Sequence, residues 1–408
     1  MDPRFRPLFN KHYSEALYRR VRALMDERLA TPRFEFRIAE TPLMLPPDLR
    51  ARCEEAAAGI LAAIRRGDVL AKCRAAVPER YNVPYTDALP HFLAIDLAIV
   101  AGKDGTLEPR LIELQGFSSL YGMTLVHGGI WSEVLAGIPG MPSRWTPLFS
   151  GLREDTYLDL LRATVIADSD PEEVILLDLH PDQQKTRPDF HATARLLGVR
   201  AVCVTELTRQ GRRLFAPRGD GRPGTVPVRR ILHRVVFDEL ERKGLEMCFD
   251  YRDDLDLVWV SHPNWYWIWS KFTLPLIDHP AVPWTRRLDQ VGTLPDDLSG
   301  YILKPIFSFA GQGVHVEVTR EVIDAIPPEE HAGYLLQEKV AYAPALMAPG
   351  GVGVKAEIRM MFLQPDGAGE ATLAINLTRL SRGKMHGVDH NKGLDWIGSS
   401  VAIWPEGE

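Results

Sequence analysis

One lysine and the loop that follows it form the first group of residues in this sequence whose types and spacing could do chemistry. In YILKPIFSFAGQGV, Lys304 lies on an apolar strand pattern that runs into a loop. The loop returns into the apolar VHVEV through Gly311, Gln312 and Gly313. Glycine lets backbone amides approach an anion closely, and lysine adds a positive charge. This pattern predicts a phosphate-binding hairpin, and a surface lysine before a glycine turn is its ordinary alternative.

Segments on either side of that loop extend the pattern. Upstream, Lys271 lies at the start of a predicted helix in SKFTLPLIDHP, and downstream YLLQEKV is an apolar strand with a polar end. In this order the segments resemble the ATP-grasp superfamily. The resemblance implies that Lys271 and Lys304 bind the phosphates of ATP, and that a hinge after the later strand meets adenine through its backbone. The hinge residues are Gln337, Glu338, Lys339 and Val340.

A polar pair interrupts the next apolar strand, AEIRMMF. Glu357 and Arg359 alternate along it, so both side chains point to one side of the strand. One interpretation is an exposed edge-strand pair. The functional interpretation makes Arg359 a catalytic residue that stabilises negative charge on a transferred phosphoryl group.

Acidic residues also interrupt two apolar strands near the start of the chain. FLAIDLAIV contains Asp96, and LIELQGFSS contains Glu113 and Gln115. A carboxylate among apolar residues is costly unless it finds a cation or hydrogen-bond donors. Two hard oxygen ligands together with substrate phosphates suit Mg²⁺, which seldom uses an all-protein cage. The sequence therefore predicts Asp96, Glu113 and Gln115 as magnesium ligands.

The order of these motifs is rearranged. A usual ATP-grasp chain carries its magnesium-binding acids at the end, whereas here they precede the lysine loop. The same order makes residues 90 to 380 resemble the glutathionylspermidine synthase branch of the superfamily. The resemblance implies an ATP-grasp fold with permuted motif order. Two positions depart from that branch, with Ala94 replacing an arginine and Gln115 replacing an asparagine, and no acid for the ribose follows the hinge.

Polar residues gather again in INLTRLSRGKMHGVDHNKG, which we interpret as a loop. From it we predict Arg379 as a second catalytic contact to an anion, with a solvated basic loop as an equal alternative. Zinc binding by its two histidines is disfavoured because no acid stands nearby at metal-ligand spacing. The residues of this segment are Asn376, Arg379, Arg382, Lys384, His386 and His390.

Two other segments could contact a ligand. In NWYWIWS, Trp265, Trp267 and Trp269 alternate as on one face of a strand, and packing in the core is favoured over a ligand cavity. In LHPDQQKTRPDF, polar residues follow a buried strand and precede a helix. Open α/β sheets bind ligands at such positions, so this loop is a candidate substrate site.

These residues need three groups of elements to position them. We predict an amphipathic helix over 47 to 66, and then a hairpin that turns at Asp104 and Gly105. EEVILLDL, DFHATARLLG and VRAVCVTEL alternate strand, helix and strand, which indicates a central open α/β sheet. The fold class is α/β and α+β. We expect domains over 1 to 150, 151 to 275 and 276 to 408, the last forming the nucleotide lobe and the C-terminal core strands.

The composition and net charge of the chain limit the kinds of partner that we expect. The 408 residues carry a formal charge of -6, which exerts no long-range attraction on nucleic acid or anionic lipid. The charged opening lacks a signal core, and no segment has the uncharged length of a membrane span, so we expect a cytoplasmic protein. Four cysteines without a CxxC pair give no zinc or redox signature. Small-molecule carboxylate and amine or peptide substrates are the expected partners, and the oligomeric state stays open.

Three functions are compatible with these features. The first is an ATP- and magnesium-dependent ligase that activates a carboxylate as an acyl phosphate for attack by an amine or thiol. The second is an ATP-dependent small-molecule kinase, and the third is a non-catalytic nucleotide-binding protein. The sequence favours the ligase and leaves the acid and the acceptor open.

Overall fold

The computed structural model describes residues 1–31, 34–307, 313–383 and 393–407. It combines α-helices with several β-sheets, which agrees with the predicted mixed class. The α-helices of the described residues are α1 (Arg6–His12), α2 (Glu15–Arg28), α3 (Pro47–Ile64), α4 (Gly67–Ala75), α5 (Tyr121–Ala136), α6 (Glu154–Val165), α7 (Arg187–Leu197), α8 (Phe237–Lys243), α9 (Trp265–Ile268) and α10 (Arg320–Asp324). No helix in this part of the chain combines the length and the apolar composition that crossing a bilayer requires.

The strands follow the same chain order. In the described ranges they are β1 (Leu43–Met44), β2 (Phe92–Ala101), β3 (Leu107–Gln115), β4 (Trp145–Thr146), β5 (Val174–Asp178), β6 (Arg200–Cys203), β7 (Thr208–Gln210), β8 (Arg213–Pro217), β9 (Thr225–Pro227), β10 (Arg230–His233), β11 (Val258–Val260), β12 (Thr285–Arg287), β13 (Tyr301–Pro305), β14 (Tyr334–Glu338), β15 (Pro344–Ala348), β16 (Val352–Leu363), β17 (Thr372–Ser381), β18 (Gly398–Ser400) and β19 (Ala402–Pro405).

The largest sheet joins the beginning of the chain to its end. Its order is β18-β17-β16-β2-β3, with β15 also pairing with β16. β2 and β3 form the predicted hairpin, and Gly105 takes the positive φ of +82° that its turn requires. β2 then pairs antiparallel with β16 from Phe92 opposite Leu363 to Ala98 opposite Glu357. The early hairpin and the late strands therefore belong to one sheet.

Alternation along these strands gives the large sheet two different faces. On one face, Ile95, Leu97, Ile358 and Met360 are fully buried in a core with residues of α3 and α5. The predicted amphipathic helix over 47 to 66 is thus confirmed as α3, with its apolar side against the sheet. The opposite face carries Asp96, Glu357, Arg359 and Arg379.

The central region is a four-stranded sheet in the order β11-β10-β5-β6, and all its strands are parallel. This arrangement confirms the predicted open α/β sheet. α7 connects β5 to β6 and ends at Gly198, which has a left-handed φ of +77°. Because parallel strands end at one edge, the residues that follow β5, β10 and β11 come together there.

The late lobe contains a three-stranded antiparallel sheet in the order β12-β14-β13 around a small core of its own. The predicted strand VHVEV is wrong. In the described residues that segment makes only one bridge to β13, between His315 and Leu303. Val318 is buried in the small core instead, whereas Val314 and Val316 are only half-buried.

The tryptophan run is also not a strand. Trp265 begins the short helix α9. Trp265, Trp267 and Trp269 are all buried, so the prediction of core packing is confirmed, whereas the prediction of a strand is wrong. Asn264, which precedes the helix, is fixed to a distant segment: its side chain accepts from the amide of Val83 at 2.9 Å and donates to the Val83 carbonyl at 3.1 Å. This anchor turns the chain at a point where its aromatic residues favour a strand.

Candidate functional site

The early hairpin contacts the late lobe at a β-bulge. The register of β2 and β3 shifts after Asp96, which lies opposite Glu113, and leaves Ile112 as the extra residue on β3. Bulges of this kind often lie beside functional sites because they redirect side chains. The Nζ of Lys304, on β13, donates to the carbonyl of Ile112 at 3.4 Å across a separation of 192 positions. The predicted lysine therefore reaches the predicted acid strand.

A different segment, the one that follows α9, brings Lys271 to the same strand. The segment after α9 runs alongside β3 and is hydrogen-bonded to it. The amide of Gly116 donates to the carbonyl of Trp269 at 3.0 Å, and the amide of Leu111 donates to the carbonyl of Ala281 at 2.8 Å. A side chain at Gly116 would place its Cβ 2.7 Å from the carbonyl oxygen of Trp265, so only glycine permits this approach. The 3₁₀-helix Lys271–Leu276 consequently starts beside Glu113.

Both lysines are buried, and burial dominates their ionisation. It lowers the pKa of Lys304 to about 8, while Glu113 opposes the shift and Lys271 adds to it. Burial likewise lowers the pKa of Lys271, and the carboxylates of Glu113 and Asp238 oppose that shift. The two lysines share Glu113 as a counter-charge, so an added anion would stabilise both positive charges.

Three strands contribute an ion-pair network on the polar face of the large sheet. Asp96 is fully buried and accepts from Arg359 through two bonds, Nε to Oδ1 at 2.6 Å and Nη2 to Oδ2 at 2.7 Å. The Nη2 of Arg379 donates to Oδ2 of Asp96 at 2.5 Å and also to Glu357. The hydroxyl of Tyr342 completes the network by donating to Glu357 at 3.0 Å.

Asp96 is ionised in this network. Burial opposes its negative charge, but Arg359 and Arg379 outweigh burial and lower the pKa of the carboxyl. Its two oxygens accept three hydrogen bonds from guanidinium groups. The prediction that Asp96 binds magnesium stays a prediction, and these contacts give the carboxylate a different set of partners.

The arginines keep donors for a further anion. Within the described ranges, Nη1 of Arg359 and both Nε and Nη1 of Arg379 make no hydrogen bond. The side chain of Arg379 is 36% exposed, whereas that of Arg359 is 8% exposed. Arg379 lies on β17, so its assignment to a loop was wrong: the loop interpretation missed the antiparallel pairing of Arg379 with Glu357.

Glu113 and Gln115 lie at the end of β3 next to the lysines. Both are half-buried, and the Nε2 of Gln115 donates to Oε1 of Glu113 at 3.1 Å. Glu113 makes no ion pair within hydrogen-bonding distance among the described residues, in contrast to Asp96. Nor does that part of the chain gather three or more His, Cys, Asp or Glu at a metal-binding spacing. Of the two carboxylates that the sequence predicts as metal ligands, Glu113 therefore keeps more capacity than Asp96 to accept a cation.

The predicted hinge runs past the end of β14. The side chain of Gln337 is buried and donates to Thr285 at 3.0 Å, while the amides of Glu338 and Lys339 donate to the carbonyls of Trp284 and Gly300. The amide of Val340 makes no hydrogen bond to a described residue. It is the hinge N–H that a ligand can use.

Comparison with known proteins finds a similarity in structure. No protein-family model and no curated protein matches the sequence. A solved structure matches it over 91% of this chain and 95% of the other, with a TM-score of 0.54 and 12% identity: the glutathione synthetase-like effector from Globodera pallida in its apo form. The two proteins share a fold. This glutathione synthetase-like fold agrees with the mixed α/β architecture, and the identity is too low to carry an activity across.

The loop predicted as a substrate site lies at the carboxyl edge of the central sheet. Asp178 ends β5 there, and burial raises the pKa of its carboxyl to about 7, with nearby Arg234 opposing the shift. Arg234 is buried and donates to the carbonyl of Ser118, just beyond β3. The sequence analysis missed both residues, although Asp178 ends the apolar run of β5 much as Asp96 interrupts the apolar run of β2.

Some predicted residues have a different status. Gly311, Gln312, Lys384, His386 and His390 lie outside the described residues. Gly313 has a φ of +69°, and a Cβ there would lie 2.8 Å from Cγ of Pro305, so the position requires glycine.

A groove of about 640 Å³ between α5 and α6 shares no residue with the lysine and arginine cluster. Tyr342 was missed because a tyrosine two residues beyond a hinge carries no distinct sequence signal.

Proposed function

We propose that this chain is an ATP- and magnesium-dependent ligase of the ATP-grasp type, which joins a carboxylic acid to an amine or a thiol. One observation carries the proposal: the Nζ of Lys304 reaches the carbonyl of Ile112, at the bulge of the early hairpin and next to Glu113 in sequence. The negative charge of Glu113 supports the charged forms of Lys304 and Lys271. The pairing of β2 with β16 is consistent with a permuted ATP-grasp sheet, because the early strands lie beside the late ones. The glutathione synthetase-like fold supports the same class.

The proposed reaction needs positive charge around the phosphates of ATP and around the transferred group. A carboxylate oxygen of the substrate acid attacks the γ-phosphorus of ATP, the bond to the β-phosphate oxygen breaks, and ADP leaves. The acceptor nitrogen or sulfur then attacks the acyl carbon of the acyl phosphate, and inorganic phosphate leaves as the acceptor loses a proton. Lys271 and Lys304 would neutralise the ATP phosphates, and Arg359 and Arg379 the charge on the transferred group.

Glu113 and Gln115 fit the magnesium ion that the proposal requires. They offer a carboxylate and an amide oxygen at one strand end, and the phosphates would supply further ligands. When bound, the ion would reduce the negative charge between the phosphates. Adenine would meet the open amide of Val340 at the hinge.

A non-catalytic nucleotide-binding protein is the second candidate. It is favoured by the engagement of Asp96 with two arginines and by the effector description of the similar structure. This candidate would bind nucleotide in the same cluster without turning it over.

Product analysis separates these functions. The full chain is incubated with ATP, Mg²⁺ and pooled amino acids, peptides and polyamines, and ADP release and product masses are measured. We expect ADP release that requires both an acid and an acceptor, together with a product whose mass joins the two. A product that gains only a phosphoryl group would identify a kinase. Nucleotide binding without turnover in any pool would identify the non-catalytic protein.

The lowered pKa of Lys304 predicts a pH dependence of nucleotide binding. The side chain is charged below its pKa of about 8 and neutral above it, so attraction for phosphates is lost as the pH rises through that value. We expect the affinity for a non-hydrolysable ATP analogue to fall above about pH 8, far below the ordinary lysine value. Titration calorimetry across this range measures it. Lys304→Arg should abolish the fall because arginine stays charged; equal pH profiles for the two proteins would contradict the prediction.

A further inference from the structure

We infer that Asp96 is a positioning residue that holds Arg359 and Arg379 in place, and that the metal-binding carboxylate of this site is Glu113. The inference rests on the proposed function, and it changes the role that the sequence predicts for Asp96. It concerns which protein atoms contact the metal ion and which arrange the arginines around the transferred group.

The contacts of Asp96 are the first argument. Its side chain is fully buried, and Arg359 grips it through two parallel bonds of 2.6 and 2.7 Å. Arg379 adds a third bond to Oδ2. Such bidentate pairs have fixed geometry as well as strength. A metal ion on Asp96 would add positive charge to a carboxylate that two guanidinium groups already neutralise. If the ion displaced Arg359, the buried charge of that arginine would lose its carboxylate partner, which is strongly unfavourable.

The surrounding strands are the second argument. Asp96 lies opposite Arg359 across β2 and β16, and Glu357 lies opposite Arg379 across β16 and β17, so acids and bases alternate across the sheet. Tyr342 fixes the far side of Glu357. Each arginine is therefore held by at least one carboxylate, and among the described residues each retains N–H groups that make no hydrogen bond and can meet an anion.

The third argument concerns position 94. Ala94 stands two residues before Asp96, where the resemblance to the glutathionylspermidine synthase branch leads us to expect an arginine. Arg379 on β17 delivers a second guanidinium to the same carboxylate from another strand. The clamp on the transferred group is thus assembled around Asp96, while Glu113 one strand away has no arginine within hydrogen-bonding distance among the described residues.

A resonance measurement on the wild-type protein tests the role of Asp96. In full-length protein labelled with ¹⁵N-arginine, the Nε–H of Arg359, assigned with Arg359→Lys, should be protected from solvent exchange. We expect the protection to persist when Mg²⁺ and a non-hydrolysable ATP analogue are added. Loss of protection on adding metal and nucleotide would overturn the inference, because it would show that Asp96 releases the arginine.

Metal binding tests the role of Glu113. Mn²⁺ affinity in the presence of the same analogue is measured by electron paramagnetic resonance for Asp96→Asn, Glu113→Gln and the control Glu108→Gln, which lies on the same strand. We expect Glu113→Gln to weaken Mn²⁺ binding by at least about tenfold, as for a disturbed metal site. Asp96→Asn should change it far less and remove the Arg359 protection.

The outcomes separate this inference from the proposed function. Equal weakening of Mn²⁺ binding by Asp96→Asn and Glu113→Gln would overturn the inference and leave the ligase proposal standing. Absence of Mn²⁺–nucleotide binding in the wild type would overturn the proposed function and the assignment of Glu113. Should Asp96→Asn fail to fold, the wild-type resonance measurement still decides, because it needs no change at Asp96.

Discussion

Lys304→Met is expected to lower ATP-dependent turnover by about 10²- to 10³-fold, the range for removing one preorganised electrostatic contact. Lys304 is buried where the late lobe meets the bulge of the early hairpin. Methionine fills a similar volume without the charge, and it removes a buried positive group that burial already disfavours. The fold should therefore persist while the proposed phosphate site loses one of its positive charges.

The turnover is measured as ADP release in the presence of the acid and the acceptor. Urea-induced unfolding, measured in parallel, tests whether the fold persists. Lys103→Met is the matched control, because Lys103 is an exposed residue next to the hairpin turn. It should retain wild-type turnover. Wild-type turnover in a folded Lys304→Met protein would refute the phosphate role of this lysine.

Trp265→Ala is expected to lower the free energy of unfolding by about 3–5 kcal/mol, the usual cost of removing a large buried aromatic side chain. Trp265 is fully buried, and its ring centroid lies 4.8 Å from that of Trp269. Its carbonyl also lies against Gly116, so it supports the segment that carries Lys271. Urea-induced unfolding measures the loss of stability.

Trp284→Ala provides the comparison. Trp284 is 40% exposed and makes an edge contact with Tyr301, so we expect a loss of only about 1 kcal/mol. If Trp265→Ala proved as mild as Trp284→Ala and instead impaired ligand binding, the tryptophan run would line a ligand cavity and the core assignment would fail.

The parts of the fold that were predictable depend on neighbouring residues. The β2–β3 hairpin follows from two alternating apolar runs joined by Asp104 and Gly105, and α7 follows from its spacing and from Gly198. Asp96 and Glu113 attracted attention for a similar reason, since a carboxylate in an apolar strand needs a partner. These inferences needed only a few consecutive positions.

The predictions that failed ignored distant contacts. VHVEV has a strand pattern, yet Val318 buries itself in the small core of the late lobe. The tryptophan run has aromatic residues that favour strands, yet Asn264 binds Val83, about 180 positions earlier in the chain, and a helix starts there. Burial and anchoring by other segments outweighed local preference in both cases.

The sequence by itself determined several elements and the chemical types of the site: a hairpin with two acids, a parallel central sheet, a lysine strand and an arginine strand. Tertiary structure decided which charges meet. Asp96 and Arg359 are 263 positions apart, and their bond depends on β2 pairing with β16 in one register. A shift of that register by one residue would turn the side chains to the other face. Local patterns cannot specify such a pairing, because it follows from how the whole chain packs.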